Sequence, residues 1–348
     1  MQHSVDKALP DAVNLLREDA GGKVLVLSYS DRDPGRWLLL DTATMTLRHI
    51  ARERLGLDAE VMRPMQTLTY TADDGLTIPA YLTLPDGFAK PAPMVVYIHG
   101  GPVARDEWGW DFDVQALAAA GYAVFQPQFR GSAGFGRKFE QAGYRQWGRA
   151  MQDDVTAGVK AMIARGVADP QRICIYGASY GGYAALWGLV KTPELYRCGI
   201  SLAGVTDIGE RFTDWSDTNS SEAGREWMRF QVGDVGTMAA DFDAVSPEKH
   251  AAQIRVPVLL AHGTDDRRVP IGHSKRMASA LKAVHASVET HWYEDEQHGL
   301  SRIRDIVDFE VKLLDFLDRN IGPAAPLAAK EIASVAPVAA EAASTGAR

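Results

Sequence analysis

Short apolar runs separated by turn-forming residues dominate the first part of the chain. The runs VLVLSY at 24–29 and WLLLD at 37–41 flank the turn-rich segment SDRDPGR, and this pattern predicts a β-hairpin. Two further strands are predicted within 66–84, around an Asp-Asp-Gly turn. We therefore expect roughly the first 85 residues to be rich in β-structure.

From residue 94 onward, uninterrupted apolar runs alternate with segments of helical spacing. The predicted strands lie at 94–99, 122–126, 172–176, 198–203, 256–261 and 287–293. The predicted helices lie at 111–120, 150–165, 181–191, 273–285 and 302–319. Uninterrupted apolar runs are typical of strands that are covered on both faces. Their alternation with helices predicts a mostly parallel central sheet with helices on both faces.

Composition and charge exclude some classes of function. The chain of 348 residues is 46% hydrophobic and 24% charged, as is usual for a folded globular protein. Its net charge of −8 and the absence of a Lys/Arg cluster argue against a nucleic-acid partner. No apolar run is long enough to cross a bilayer, so we expect no membrane partner. The first residues lack the pattern of a signal peptide, which favours a cytoplasmic location.

The two cysteines carry no sign of metal binding. Cys174 and Cys198 lie in predicted core strands, where a free cysteine behaves as a small hydrophobic residue. We expect both to be buried free thiols, since nothing in the sequence supports a disulfide between them. There is no H-E-x-x-H motif, and two buried cysteines do not make a zinc site. We therefore expect neither a metal nor a cofactor.

One serine lies in a glycine-rich turn between a predicted strand and a predicted helix. The stretch GASYG at 177–181 matches G-x-S-x-G, with Ser179 at its centre, directly after the strand at 172–176. In this context the pattern is typical of a nucleophile elbow, a strained turn that exposes the serine hydroxyl. The alternative is a plain strand-to-helix turn in which the serine has no chemical role.

Two downstream segments hold candidate partners for Ser179. A serine hydroxyl needs a base to act as a nucleophile at neutral pH, and in sheets of this kind the chain order is serine, acid, histidine. One predicted strand is followed by Asp265 and Asp266, and the next is followed by His298. The order predicts a triad of Ser179, an aspartate at 265 or 266, and His298.

Two backbone N–H groups are candidate donors to a developing oxyanion. One is that of Tyr180, the residue after the nucleophile. The other comes from the loop after an early strand, where HGGP at 99–102 follows the strand at 94–99. Because two adjacent glycines let the backbone approach a reacting carbonyl, we favour the N–H of Gly101.

The remaining histidines are expected to have structural or solvent-facing positions. His99 and His262 precede glycines at strand ends, and we expect them to hydrogen-bond to nearby loops. His291 lies within a predicted strand and is expected to be packed. The others are expected to be solvated: His3, His49, His250, His273 and His285.

Six motifs occur in sequence over roughly residues 60–320: YIHGGPVAR, FQPQFRGSAGFGRKF, GRAMQDDVTAGV, GASYGGYAAL, HGTDDRRVP and YEDEQHG. In this order they resemble the catalytic domain of the prolyl oligopeptidase family of serine peptidases, in particular its acylaminoacyl-peptidase and dipeptidyl-peptidase-like branch. The resemblance implies an α/β-hydrolase fold, with a mostly parallel central sheet and helices on both faces, preceded by a short β-rich segment.

The resemblance also implies which of the two aspartates belongs to the triad. In the family, the aspartate lies four residues after the histidine that ends its strand and three before a valine. In this chain that aspartate is Asp266, between His262 and Val269, whereas Asp265 is its solvent-facing neighbour.

Further site residues follow from the same resemblance. The family's oxyanion donors correspond to the N–H groups of Tyr180 and Gly101. Val269 matches a position that lines the primary specificity pocket. Arg130 matches a characteristic arginine, which we expect to take part in substrate binding.

The chain departs from the family in its N-terminal part. Family members carry an N-terminal β-propeller of several hundred residues, whereas only about 85 residues precede the hydrolase core here. We expect residues 1–62 to be a remnant of a propeller blade, 63–321 to be the catalytic domain, and the Ala/Pro-rich segment 322–348 to be disordered. The chain is then either a truncated product or a minimal form with an open site.

The expected function is that of a serine hydrolase. It cleaves peptide or acyl-amino amide bonds of short peptides through a Ser-Asp-His triad and an acyl-enzyme. The first alternative is a carboxylesterase with the same triad, and the second is an inactive fragment that binds a partner through its β-rich N-terminal segment. The expected partner is a peptide or small acyl substrate, and a homo-oligomer is among the expectations because members of this branch commonly self-associate.

Overall fold

The computed structural model of the protein describes residues 1–214 and 216–322. Its strands are β1 (Val13–Ala20), β2 (Lys23–Tyr29), β3 (Arg36–Asp41), β4 (Thr46–Arg52), β5 (Met65–Thr71), β6 (Thr77–Thr83), β7 (Ala92–Ile98), β8 (Ala123–Pro127), β9 (Ala168–Ala178), β10 (Cys198–Leu202), β11 (Val258–Gly263) and β12 (Val288–Tyr293).

The α-helices lie mostly between the strands of the second half. They are α1 (Gln2–Ala8), α2 (Phe112–Ala119), α3 (Arg137–Gln141), α4 (Ala150–Ala164), α5 (Tyr180–Lys191), α6 (Glu222–Gln231), α7 (Val235–Asp243), α8 (Gly272–Ala283) and α9 (Ile303–Ile321). Short 3-10 segments occur at Pro193–Leu195, Glu210–Phe212 and Pro247–Gln253. No described helix is both long enough and apolar enough to cross a membrane.

The strands form two separate sheets. Strands β1 to β4 form a four-stranded antiparallel sheet in sequential order. The other eight form one sheet in the order β12-β11-β10-β9-β7-β8-β6-β5. From β7 to β12 all paired strands are parallel, whereas β6 runs antiparallel to both of its neighbours. The predicted mostly parallel sheet and both predicted hairpins are thus confirmed.

Helices cover both faces of the large sheet, as the uninterrupted apolar runs predict. The neighbouring residues Val95 and Val96 on β7 are both fully buried, and their side chains join different apolar clusters. One cluster includes residues of α4, α5 and α8. The other includes residues of α2 and α9. Each face therefore has its own core, and the ends of the parallel strands lie between the two layers.

The small sheet has its own minor core and contacts the large domain through polar groups. Val24, Val26, Leu38 and Leu40 form a buried cluster together with Val5 of α1. At the contact with the large domain, the carboxylate of Asp31 accepts a hydrogen bond from the backbone N–H of Met65 at 2.7 Å. The side-chain amide of Gln115 donates to the carbonyl of Asp31 at 3.1 Å.

The prediction of free thiols was wrong, because the structure joins Cys174 and Cys198 in a disulfide. The two residues occupy paired positions of the adjacent strands β9 and β10, with their Cα atoms 4.8 Å apart. Their pairing depends on the register of β9 against β10, which the apolar pattern of each strand does not determine.

The prediction that His273 is solvated was also wrong. His273 is 1% exposed, and its Nε2 lies 3.3 Å from Oδ2 of Asp214. On helix α8, the buried residue Met277 follows His273 by one turn, and the buried residue Leu281 follows it by two. All three side chains therefore lie on the same inward face of the helix. This helical spacing was visible in the sequence and would have indicated burial.

The C-terminal expectation falls almost wholly outside the described residues. The segment predicted to be disordered was 322–348, and the description ends at Gly322, directly after α9. The large sheet begins at Met65, close to the predicted start of the catalytic domain at residue 63.

Candidate active site

Ser179 occupies a strained turn between β9 and α5. Its backbone dihedrals are φ 59° and ψ −120°, a conformation that is costly for a residue with a Cβ atom. Its N–H donates to the carbonyl of Leu202 at 2.9 Å, which holds the turn against the next strand. A Cβ atom at Gly181 would collide with the carbonyl oxygen of Ile98, so the glycine allows the close packing of α5 on β7.

Three side chains from separate segments form a continuous hydrogen-bonded chain. Nε2 of His298 lies 2.9 Å from Oγ of Ser179, and Nδ1 of His298 lies 2.7 Å from Oδ2 of Asp266. An ionised carboxylate only accepts hydrogen bonds, so we assign the imidazole proton to Nδ1. Nε2 is then free to accept the proton of the Ser179 hydroxyl.

The carboxyl group of Asp266 is buried and fully engaged. Oδ1 accepts from the N–H groups of Arg268 and Val269 at 2.8 and 2.9 Å, and Oδ2 also lies 3.1 Å from Nε2 of His262. Burial alone would raise the pKa of Asp266, but the hydrogen bonds from His262 and His298 outweigh it and hold the pKa well below its usual range. Asp266 therefore remains an anion beside the imidazole.

The neighbouring Asp265 faces away from this chain of hydrogen bonds. Its side chain is exposed, and its backbone N–H donates to the carbonyl of Glu296 at 2.9 Å. Of the two aspartates, only Asp266 contacts His298.

Residues 99–102 pass close to Ser179. A Cβ atom placed on Gly100 would lie 3.4 Å from Cβ of Ser179, and Gly101 lines the same small cavity as Ser179. Gly101 has a φ of 116°, which glycine adopts readily. The N–H of Tyr180 is the first of helix α5 and has no intrahelical acceptor. Both predicted oxyanion donors thus lie beside the serine.

His99 is buried and holds the carbonyl of the following residue. Burial lowers its pKa to about 4, so the imidazole is neutral near pH 7. Nδ1 lies 2.8 Å from the carbonyl oxygen of Gly100, and Nε2 lies 2.8 Å from Oγ of Ser132. We assign the proton to Nδ1, because the carbonyl can only accept. His262 likewise hydrogen-bonds to nearby groups, as predicted, with Nδ1 2.7 Å from Oγ of Ser274.

A cavity of about 90 Å³ opens beside Ser179. Val269, predicted to line a specificity pocket, is among its lining residues, together with aromatic and aliphatic side chains and two arginines. The other lining residues are Gly101, Trp147, Tyr180, Val205, Arg211, Thr218, Trp227, Met228 and Arg268. A small acyl or amino-acid side chain fits such a mostly apolar cavity.

Arg130 was expected to take part in substrate binding, but it does not lie beside Ser179. Its guanidinium contacts Asp154 through Nε at 2.8 Å and through Nη2 at 2.7 Å, and its Nη1 contacts Asp74 at 2.7 Å. It is 8% exposed and is not among the residues lining the cavity beside Ser179. The structure gives Arg130 an ion-pair network that joins the β5–β6 turn to helix α4.

The loop that carries His298 is held by a residue that the sequence did not single out. Glu296 is 1% exposed, and its carboxylate accepts hydrogen bonds from the N–H groups of Ser301 and Arg302 at 3.0 and 2.8 Å. The acidic stretch YEDEQHG contains three carboxylates, and nothing in its spacing shows which one turns inward.

Within residues 1–214 and 216–322, one group of carboxylates is close enough to share a metal ion: Asp207, Glu210 and Glu248. These side chains already pair with cations. Arg276 contacts both Glu210 and Glu248, and Lys249 lies 2.9 Å from Asp207.

Comparison with known proteins places the chain among peptidases. The sequence profile of the prolyl oligopeptidase family matches residues 108–324. The chain is 32% identical over 330 residues to dipeptidyl aminopeptidase BIII of Pseudoxanthomonas mexicana, covering 90% of this chain and 47% of that protein. It is 30% identical over 266 residues to the acylamino-acid-releasing enzyme of Sus scrofa, covering 75% and 36%.

Solved structures agree with the sequence relatives. A puromycin-hydrolyzing peptidase of Mycobacterium tuberculosis superposes with a TM-score of 0.79 and 25% identity, covering 87% of this chain and 46% of that one. The chain spans about half the length of the curated relatives first matched. Since the family profile covers more than half of the chain, and the described strands and helices have the family's arrangement, this chain belongs to the prolyl oligopeptidase family of serine peptidases and has an α/β-hydrolase fold.

Proposed function

We propose that this chain is a serine hydrolase that cleaves peptide or acyl-amino amide bonds of short peptides through an acyl-enzyme. The observation that carries the proposal is the hydrogen-bonded chain from Ser179 through His298 to Asp266, at 2.9 and 2.7 Å. Its donor and acceptor order is the one that nucleophilic catalysis by serine requires.

The first half of the reaction acylates Ser179. Oγ attacks the carbonyl carbon while Nε2 of His298 takes the hydroxyl proton, and Asp266 stabilises the imidazolium that results. The N–H groups of Tyr180 and Gly101 donate to the oxyanion. In related chemistry each such donor contributes about 3 kcal/mol to the transition state. His298 then returns the proton to the leaving amine, and the C–N bond breaks.

The second half frees the enzyme. A water molecule gives its proton to His298 and attacks the acyl carbon, and the tetrahedral intermediate collapses when the proton returns to Oγ of Ser179. The carboxylic acid leaves, and the serine hydroxyl is restored. His262 supports both halves because its hydrogen bond to Oδ2 helps to keep Asp266 ionised and oriented.

The substrate class rests on the cavity beside Ser179 and on the relatives. The cavity has about 90 Å³ of space and mostly apolar walls, including Val269 and Trp227. We propose that it takes the side chain of the residue whose carbonyl is attacked. Relatives named for dipeptidyl aminopeptidase, acylamino-acid-releasing and puromycin-hydrolyzing activities favour amides of short substrates.

The test compares amide and ester substrates on one protein preparation. Aminoacyl and N-acetyl-aminoacyl nitroanilides are offered beside a p-nitrophenyl ester, with wild type and Ser179→Ala in parallel. The proposal predicts anilide turnover that falls by about 10⁴-fold or more in Ser179→Ala. Turnover of esters but not anilides would favour a carboxylesterase. Anilide turnover that survives in Ser179→Ala would contradict the assignment of the nucleophile.

A further inference from the structure

A second cavity, of about 410 Å³, lies beside helices α2 and α9. None of its lining residues belongs to the cavity beside Ser179. Tyr176 and Phe309 belong to the apolar cluster on the α2 and α9 face of the large sheet, whereas Tyr180 and Val269 belong to the cluster on the other face. The two cavities therefore lie on different faces, and the reaction proposed above does not use this second one.

Most of its wall is apolar, and its mouth is open to water. The apolar lining includes Phe112, Leu202, Leu300, Ile303, Val307 and Phe309. Ile303 is 80% exposed and Val307 is 52% exposed, although both belong to a helix with a well-packed inner face. The volume is in the range of small-molecule sites in proteins, and a ligand with an apolar body would cover this exposed surface.

The polar part of the wall consists mainly of two adjacent carboxyl groups. Glu310 is 8% exposed, and its carboxyl group shares a hydrogen bond with that of Asp113, which requires that one of the two groups carries a proton. Beside it lies Asp113, whose Oδ2 is 3.0 Å from the hydroxyl of Tyr97 and 3.3 Å from that of Tyr176. Two carboxyl groups this close cannot both ionise without a cation nearby, and an ammonium group from a ligand would take the place of the shared proton.

No described cation pairs with either carboxyl group. Arg54 also lines the cavity, but its guanidinium lies over the ring of Trp110, 6.0 Å from the ring centroid. Asp111 adds a further acidic group nearby. The interior thus favours a positive charge. A calcium or magnesium ion would need about six oxygen ligands, and the apolar wall does not supply them.

We propose that this cavity binds a small organic ammonium ion, a primary amine on an apolar body, with the ammonium group donating to Glu310 and Asp113. The apolar body then lies against Phe112 and the exposed residues of α9. The ammonium group has three donors, enough to reach Oε2 of Glu310 and a second carboxylate oxygen.

The test measures binding of phenethylamine by isothermal titration calorimetry, near neutral pH. The protein is Ser179→Ala, so that the result does not depend on the proposed reaction. We expect saturable binding of phenethylamine and at least about tenfold weaker binding of 2-phenylethanol and of phenylacetate, because hydrogen bonds to charged groups contribute more than one factor of ten in affinity.

Variants added to the Ser179→Ala protein test the acidic wall. Glu310→Gln keeps the size of the side chain but cannot ionise when the amine binds, and we expect at least about tenfold weaker amine binding. Asp318→Asn is the matched control, because Asp318 is an exposed acid on the same helix and does not line the cavity. The affinity of this variant for the amine should stay within about twofold of that of the Ser179→Ala protein. Asp113→Asn is the second test if Glu310→Gln does not fold.

Any one of four results would overturn the proposal. The first is no saturable amine binding up to about 10 mM. The second is equal affinity for the amine and the alcohol. The third is wild-type affinity in folded Glu310→Gln or Asp113→Asn. If the protein instead self-associates through α9 and the amine does not compete, the cavity is part of a protein interface and the proposal is wrong.

Discussion

Asp265 and Asp266 are adjacent and chemically identical, yet their surroundings give them opposite properties. Asp265 is exposed, whereas Asp266 is buried and receives hydrogen bonds from two histidines and two backbone N–H groups. Residue order alone left both as candidates. The difference arises from the backbone path of the loop after β11, which a pattern of residue types does not contain.

The first prediction uses this pair as test and control. Asp266→Asn should lower kcat/KM by about 10⁴-fold, because an amide can no longer hold the imidazole proton on Nδ1. Asp265→Asn should change kcat/KM by less than about twofold, since its side chain is solvated. Steady-state kinetics on an anilide substrate measures both. Similar losses in the two variants would contradict the proposed role of Asp266.

The second prediction concerns His99 as a positioning residue. A trans peptide directs its C=O and N–H oppositely, so holding the carbonyl of Gly100 fixes the direction of the Gly101 N–H. His99→Phe keeps a ring beside Phe129 but removes the donor, and we expect kcat to fall by about 10- to 100-fold with little change in KM.

His99→Asn provides the check on that interpretation. The Asn side-chain amide places a donor near the position of Nδ1, so this variant should recover part of the lost kcat. If the two variants are equally impaired, or if KM alone changes, His99 acts through packing and not through the Gly100 carbonyl.

Some residue-level expectations could not be drawn from the sequence. The Cys174–Cys198 bond depends on the register of two strands that are 24 residues apart in sequence. Arg130 lies in a motif that resembles a family signature, but its partners Asp74 and Asp154 come from distant segments. The burial of His273 differs from these cases, because its helical spacing with Met277 and Leu281 was visible.

At the scale of elements, periodicity predicted the central strands and their helices well. Each of the six predicted core strands exists, with ends shifted by a few residues. Helices α1, α3, α6 and α7 were not predicted. Of these, α6 is mostly polar and exposed, with only Met228 and Gln231 buried. This region nevertheless supplies Trp227 and Met228 to the cavity beside Ser179.

The third prediction tests the ion-pair network of Arg130. Arg130→Met leaves the fully buried carboxylate of Asp154 without its cation, and the free energy of unfolding should fall by about 3–5 kcal/mol. Arg149→Met is the control, because its ion pair with Asp241 is half exposed, and we expect a change of about 0.5 kcal/mol or less. Urea unfolding measures both.

The same variant tests whether Arg130 contacts substrate. In the wild type, the guanidinium of Arg130 is bound to Asp154 and Asp74. We therefore expect the KM of folded Arg130→Met to stay near the wild-type value. The double variant Arg130→Met/Asp154→Leu should regain part of the lost stability, since it removes the unpaired charge. A large rise in KM without loss of stability would restore the role in substrate binding.

At the scale of the whole molecule, buried and partly buried acids gather on the side of α2 and α9. Burial, the largest cause in each case, raises the pKa of Glu310 to about 8, that of Asp106 to about 7 and that of Asp111 to about 6. Neighbouring acids add to each shift, among them Asp113 beside Glu310. The native state therefore holds protons that the unfolded chain has already released.

The fourth prediction follows from the sign of these shifts. Between about pH 5 and pH 8 the native state binds more protons than the unfolded state, so the free energy of unfolding should decrease as the pH rises. Glu310→Gln should make this decrease shallower, because one of the shifted groups is removed. Asp318→Asn should leave the slope unchanged. Urea unfolding across this pH range measures the slopes, and a wild-type stability that rises with pH would contradict the assignment.

The candidate site as a whole was predictable because chain order and strand ends carry the information. Ser179, Asp266 and His298 each follow a strand of one parallel sheet, and the carboxyl ends of such strands meet at one edge. The cavity beside α2 and α9 was not predictable. Its acids are separated by nearly two hundred residues, and each is unremarkable in its local sequence.

The most direct test of the proposed triad is covalent labelling of Ser179 by a fluorophosphonate probe. Folded wild type and Ser179→Ala are treated in parallel, and the labelled peptide is mapped. We expect labelling at Ser179 in wild type and none in Ser179→Ala, because only a serine activated by His298 attacks the phosphorus. Folded wild type that stays unlabelled, or labelling that persists in Ser179→Ala, would contradict the proposed triad.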